Sequence, residues 1–273
     1  MIDNPRSPRV RAVAKLAKRS ARNDTGRFLL EGPQVVREAF AYRPEVVDEL
    51  FATATALDRH GELARAAAQH GIRVEQVSEL VLEAMADTVT PQGILAVGRF
   101  FTTPLDRLLA ARPTLVAVLE EVRDPGNAGT IIRAADAAGA EGVVLTGRSV
   151  DAYNPKVIRS TTGSIFHLPF AQGHDLAEAL DGLRSIGCRV LAADIGGDDL
   201  LEVRGSGGLD GPTAWLFGNE AHGLADEQIA LADRSVRVPI YGHAESMNLS
   251  TAASVCLYES AFAQRAAGVL RGA

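Results

Sequence analysis

A run of apolar residues without polar alternation, TLVAVLE at 114–120, is followed at once by a glycine-rich turn and a helix-like stretch, and it constrains this chain more than any other feature. A strand that is apolar on both faces must be covered on both, and a parallel sheet flanked by helices does this. From Thr114 onward the same alternation continues. GVVLT (142–146), FHLPF (166–170), CRVLAAD (188–194), TAWLFG (213–218) and VRVPI (236–240) read as strands. Helical spacing runs from the first turn to about Ala138, then over 155–162, 175–186 and 247–267. The segment GGDDLLEVRGSGGLDGP at 196–212 is turn-rich and reads as a surface loop. Such a series predicts a doubly wound α/β domain over 114–273, with ligands beyond the carboxyl ends of its strands.

Residues 28–100 alternate short strands (FLLEG, VDELFAT, IRVEQV, GILAVG) with helices at 33–41, 58–70 and 78–86, and form a small α/β domain. The proline-bounded stretch 101–113 is the expected linker between the two. Residues 1–27 are a basic leader, eight cations against two acids for a net +6. The whole chain is −6, so residues 28–273 carry −12. A basic leader on an acidic body implies a polyanion reached through the leader, and equally describes a solvated amphipathic helix. No uninterrupted apolar stretch is long enough for a membrane span, and the N-terminus has no apolar signal core. Cys188 and Cys256 lie in apolar runs without metal-ligand spacing. They read as buried, reduced thiols of a cytoplasmic protein that uses no metal.

Three loops directly after predicted strands hold the residues capable of chemistry. The first, VRDPGNAGTIIRAADAAGA (122–140), offers Asn127 as a helix cap, Gly129 in the turn, and Arg133 among apolar neighbours. Taken alone, Arg133 is accounted for as a side chain snorkelling from an amphipathic helix. In the second, LFGNEAHGL (216–224), Gly218 and Gly223 permit close backbone approach beside Asn219 and Glu220. A tight strand-to-helix turn explains that loop equally well. In the third, VPIYGHAESMNLSTAASVCLYE (238–259), Ser246, Asn248 and Ser250 bracket the start of the last helix. Capping explains one of those three residues.

Together the three loops resemble the SpoU (TrmH) family of RNA ribose methyltransferases, of the SPOUT class. The matching residues are Asn127, Gly129 and Arg133; Gly218, Asn219, Glu220 and Gly223; and Pro239, Ser246, Asn248 and Ser250. NPKVIRSTTGSIFHLPF (154–170) is similar to the family's middle region. Residues 28–100 are similar to its ribosomal-protein-like RNA-binding domain, which favours ribosomal over transfer RNA and the thiostrepton-resistance branch. The resemblance implies a C-terminal α/β domain tied in a deep trefoil knot, a homodimer, and S-adenosylmethionine held near Ala193, Gly218, Asn219, Val238, Ile240 and Met247. Met247 stands where the family often has Leu, a volume-conserving swap.

The family gives the residue matching Arg133 the central role, sometimes as general base. A free guanidinium has a pKa of about 12.5 or higher, so at most about one in 10⁵ is neutral at pH 7. A clamp on the acceptor phosphate that also stabilises the developing alkoxide suits the group better. Asn127 and Glu220 would then orient Arg133, with Ser246 and Asn248 shaping the ribose and cofactor pocket. A nicotinamide oxidoreductase needs G-x-G-x-x-G after the first strand, and DPGNAG lacks that spacing. A transfer-RNA methyltransferase, or a non-catalytic RNA-binding or ribosome-assembly protein on this fold, are the other readings. Arg133, Glu220, Ser246 and Asn248 together weigh against the non-catalytic one.

Overall fold

The computed structural model describes residues 1–269, which divide into two compact units. The first comprises 1–101 together with 151–167, and the second comprises 102–150 with 168 onward.

The first unit is built on a four-stranded sheet of β1 (Arg27–Glu31), β2 (Val47–Ala52), β3 (Arg73–Gln76) and β4 (Ile94–Arg99), in the order β1-β4-β2-β3. β4 is antiparallel to both neighbours, whereas β2 and β3 are parallel. The expected helix over 58–70 is two helices, Ala54–Arg59 and Gly61–Gln69. His60 leaves helical backbone between them, with φ −123° and ψ 40°. The leader contributes the helices Pro8–Ala14 and Arg19–Thr25, and its Val10, Val13 and Leu16 join Phe51, Leu82 and Val97 in the core. Ser7 caps the first helix and Gly26, in left-handed backbone (φ 65°), ends the second.

Arg22 in the leader is 1% exposed. Its Nε and Nη2 donate to Asp151 Oδ2 at 2.9 and 2.7 Å, and its Nη1 donates to the carbonyls of Leu16 and Ala17. Residues 151–167 are thus built into the first unit by a buried charge pair. Tyr153 adds to this by stacking on Phe100 at 4.0 Å, and its Oη accepts the Phe101 N–H at 2.7 Å.

The second unit is a six-stranded, wholly parallel sheet: β5 (Leu115–Glu120), β6 (Gly142–Thr146), β7 (Phe170–His174), β8 (Arg189–Asp199), β9 (Thr213–Phe217) and β10 (Arg234–Arg237), in the order β10-β8-β9-β5-β6-β7. β5 is buried at every position, as its apolar run requires. The 101–113 stretch holds a helix, Leu105–Ala110, whose Leu105 and Leu108 enter this unit's core.

Two readings of the sequence need correction here. FHLPF is not a strand, because Phe166 closes a 3₁₀ turn and β7 starts at Phe170. Nor is 196–212 a surface loop. β8 continues to Asp199, pairing Asp198 with Val236, and a helix over Leu200–Gly205 buries Leu200 and Val203. A Cβ at Gly197 would lie 2.4 Å from the backbone of Ser235 and Val236. This glycine therefore marks close approach of two strands, not a turn.

Candidate active site

The sheet order reverses direction between β5 and β9. The chain leaves β5 toward β6 on one side and leaves β9 toward β10 on the other, so a crevice opens beyond their carboxyl ends. The first and second loops emerge there, and the third follows β10.

Side chains tie the three loops together. Asp124 caps the helix Pro125–Ala138 by accepting from Asn127 N at 2.8 Å, with proline in its first turn. Asn127 was expected as that cap. Relieved of capping, its side-chain amide faces the other two loops: Nδ2 donates to Glu220 Oε1 at 3.4 Å, and Oδ1 accepts from Asn248 Nδ2 at 3.0 Å. Glu220 also accepts the Arg123 and Asp124 N–H groups at 3.1 and 2.9 Å. Asn219 Nδ2 donates to the Glu121 carbonyl at 2.9 Å. Asn248 caps the helix Leu249–Ala266, accepting from Ser250 N and Ser250 Oγ at 2.9 and 2.6 Å.

Sequence reasoning missed Asp124 and Glu121. The Asp-Pro pair at the head of a helix is a cap signature that identifies the first. Glu121 has φ 51°, and nothing in its own identity announces left-handed backbone. The Arg148 guanidinium, hydrogen-bonded to it at 3.2 Å and joined by Arg123, holds its carboxyl below the usual carboxylate range.

Arg133 stands apart. It is exposed and makes no hydrogen bond or ion pair among the described residues. It lies six residues beyond Asn127 on the same helix, about 9 Å along the axis. The oxygens of Glu220 and the amide of Asn127 bind loop to loop and not Arg133. Ser246 is exposed and likewise has no bonded partner.

Gly218 is small for a local reason. A Cβ there would meet the Gly223 carbonyl and Leu224 at 2.6–2.7 Å, because Asn219 and Gly223 pair across a tight turn. The residues Ala193, Val238, Ile240 and Met247 lie on β8 or in the loop after β10. Among the described residues the loop 239–247 makes no turn or side-chain hydrogen bond to the rest of the chain, so its backbone donors and acceptors are open to a ligand. Ile195, Ile240 and Tyr241, 76%, 37% and 85% exposed, add apolar surface there. Open amides beside apolar side chains suit a nucleoside ligand. The two thiols are buried, Cys188 being pushed up to about 11 by burial, and neither is a nucleophile at neutral pH. Among the described residues no cluster of three or more His, Cys, Asp or Glu is arranged to hold a metal, and no helix is long and apolar enough to cross a membrane.

A parallel sheet whose switch-point loops are cross-tied through one asparagine is the arrangement of an α/β enzyme with its site beyond the carboxyl ends of β5 and β9. The chain belongs to the SpoU rRNA Methylase family, which it matches over residues 114–258. Residues 7–96 match the MRM3-like substrate binding domain. It is 34% identical to the 23S rRNA (guanosine(2553)-2′-O)-methyltransferase RlmP of Bacillus subtilis, over 94% of this chain and 97% of that protein. It is 32% identical to the 23S rRNA (uridine(2479)-2′-O)-methyltransferase of Streptomyces viridochromogenes, covering 93% and 89%. The AdoMet-bound rRNA methyltransferase of Sinorhizobium meliloti superposes with a TM-score of 0.81 at 29% identity, covering 95% of this chain and 96% of that one.

Proposed function

We propose that this protein transfers a methyl group from S-adenosylmethionine to a ribose 2′-hydroxyl of 23S ribosomal RNA. The observation that carries this reading is the Asn127 side chain, which bonds Glu220 and Asn248 together and so brings three separate family motifs to one place. The cofactor supplies an electrophilic sulfonium methyl. Ala193, Gly218, Asn219, Val238, Ile240 and Met247 hold it, largely through backbone groups. Arg133, without a bonded partner among the described residues, clamps the acceptor nucleotide's phosphate and stabilises the alkoxide as the hydroxyl loses its proton. Glu220, Asn127 and Asn248 fix the loops around it, and Ser246 faces the ribose.

On this reading the enzyme is a cytoplasmic homodimer whose cofactor loops are tied in a trefoil knot. Support for a second copy is the exposed pair Tyr258 and Phe262 on the last helix, with ring centroids 5.6 Å apart. Free, buried cysteines suit a reducing compartment.

Calorimetry with the full chain should give one S-adenosylmethionine site per subunit, and labelled cofactor should pass its methyl to 23S rRNA lacking the modification. The full chain is needed because residues 151–167, inside the matched catalytic region, have their core partners in the first unit. Nicotinamide binding in place of S-adenosylmethionine binding would overturn the reading.

The leader's role is narrower than its charge implies. Arg9 pairs with Glu49 and Glu75, Arg22 with Asp151, and Arg27 with Asp48. Arg6, Arg11, Lys15, Lys18 and Arg19 are exposed, with no ion pair among the described residues. Replacing Arg11, Lys15 and Lys18 together by Gln should weaken rRNA binding and reduce its log–log salt slope by about 2. An unchanged slope would make this face merely solvated.

A further inference from the structure

The first unit contains a cavity of about 130 Å³, remote in sequence from the three motif loops and used by no step above. At roughly 10–15 Å³ for each water-sized centre, it accommodates a group of about ten heavy atoms. Its wall includes Glu31, Gly32, Thr88, Thr90, Gln92 and Arg159. Glu31, 6% exposed, ends β1 and accepts the Asp87 and Thr88 N–H groups at 2.6 and 3.2 Å. Arg159 donates through Nη1 to Glu31 at 2.6 Å and through Nη2 to Asp87 at 3.1 Å. Its side chain nevertheless remains 29% exposed.

Two properties of this arrangement select a ligand. A guanidinium donates in its own plane, so an arginine held edge-on by two carboxylates still has its flat face to offer. The two charged lining residues, Glu31 and Arg159, cancel, and Asp87, bonded to Arg159 from outside the lining, tips the local formal charge negative. That charge repels a phosphate and admits a neutral, flat, polar ring. Proteins that read single-stranded RNA stack splayed bases on arginine planes and bond their edges to side chains. We propose that this cavity receives one unpaired nucleobase of the RNA substrate, stacked on Arg159, with Gln92, Thr88 and Thr90 bonding its edge. The assignment rests on the rRNA-methyltransferase reading and adds a recognition site away from the methyl-transfer loops.

The test measures binding of the full-length protein to unmodified, in vitro transcribed 23S rRNA across a range of salt concentrations. Arg159→Lys keeps the charge and loses the plane; Ala86→Phe fills the cavity; Gln92→Ala trims its exposed rim. The first two should each weaken binding about tenfold and the third about threefold, with the salt slope unchanged because no phosphate contact is removed. S-adenosylmethionine affinity and the thermal midpoint should stay at wild-type values. Should Ala86→Phe or Arg159→Lys disturb folding, Gln92→Ala, at the solvent-exposed rim, decides alone. Wild-type affinity in the folded variants overturns the proposal, as does a salt slope lowered by about one in Arg159→Gln, which would make Arg159 a phosphate contact. Failure of the wild-type protein to bind 23S rRNA would instead overturn the reading beneath it.

Discussion

Arg133→Ala is expected to lower single-turnover methyl transfer by at least about a hundredfold while leaving folding and S-adenosylmethionine affinity at wild-type values. The first half follows from chemistry. A preorganised cation at a developing alkoxide contributes roughly 10²–10³ in rate when it is a main electrostatic stabiliser. The second half follows from the structure, because Arg133 is exposed and bonded to nothing among the described residues. Substitution at such a position usually changes stability by no more than about 0.5 kcal/mol. Arg133→Lys should recover little activity, since lysine keeps the charge and loses the planar fork that matches a phosphate. The pH–rate profile distinguishes clamp from base. For a clamp, Arg133→Lys retains whatever rise with pH the wild type shows, at a lower rate, because that rise belongs to the hydroxyl. For an arginine base the rise itself disappears in the mutant. Wild-type single-turnover rates in Arg133→Ala would remove both roles.

What the sequence made legible was whatever depends on local pattern. β5 was visible as an unbroken apolar run, and the three loops were visible because each follows a strand and their polar residues together match the motifs of one family. Their meeting was not visible. Asn127 and Asn248 are 121 residues apart, and no local rule pairs them. The misreadings have one physical origin, that glycine and proline mark backbone geometry without saying which geometry. Gly197 looks like turn punctuation and is a point where two strands nearly touch. The Leu168-Pro169 step looks like strand interior and precedes the strand. Gly218 has a local reason for its small size that the sequence does not show, the carbonyl of Gly223 across its own turn. Charge counting is likewise blind to burial in the leader, where +6 includes a guanidinium that is almost fully buried.

That guanidinium leads to the largest expected effect on stability. Asp151→Ala should destabilise the protein by about 3–5 kcal/mol, because it leaves Arg22 buried without its counter-charge. Arg22 would keep the carbonyls of Leu16 and Ala17, which accept from Nη1, but Nε and Nη2 would lose Asp151 Oδ2, their acceptor among the described residues. Water cannot easily substitute at a side chain that is 2% exposed. The same carboxyl also accepts the Tyr153 N–H at 3.0 Å through Oδ1, so its loss loosens the start of the 151–167 segment as well. Arg22→Met should be milder, because it removes the charge that needs compensation and keeps most of the volume. It still leaves Asp151 with the Tyr153 N–H on Oδ1 and without the guanidinium on Oδ2. The double variant Arg22→Met with Asp151→Leu should therefore be more stable than Asp151→Ala, since replacing both members of a buried pair by apolar groups is often close to neutral. For a chain of this size, 3–5 kcal/mol corresponds to a fall in thermal midpoint on the order of 10 °C. Circular dichroism melts of the three variants beside the wild type give the comparison. A midpoint within about 2 °C of wild type for Asp151→Ala would show that the pair contributes little to stability and that residues 151–167 are held chiefly by the aromatic cluster around Tyr153.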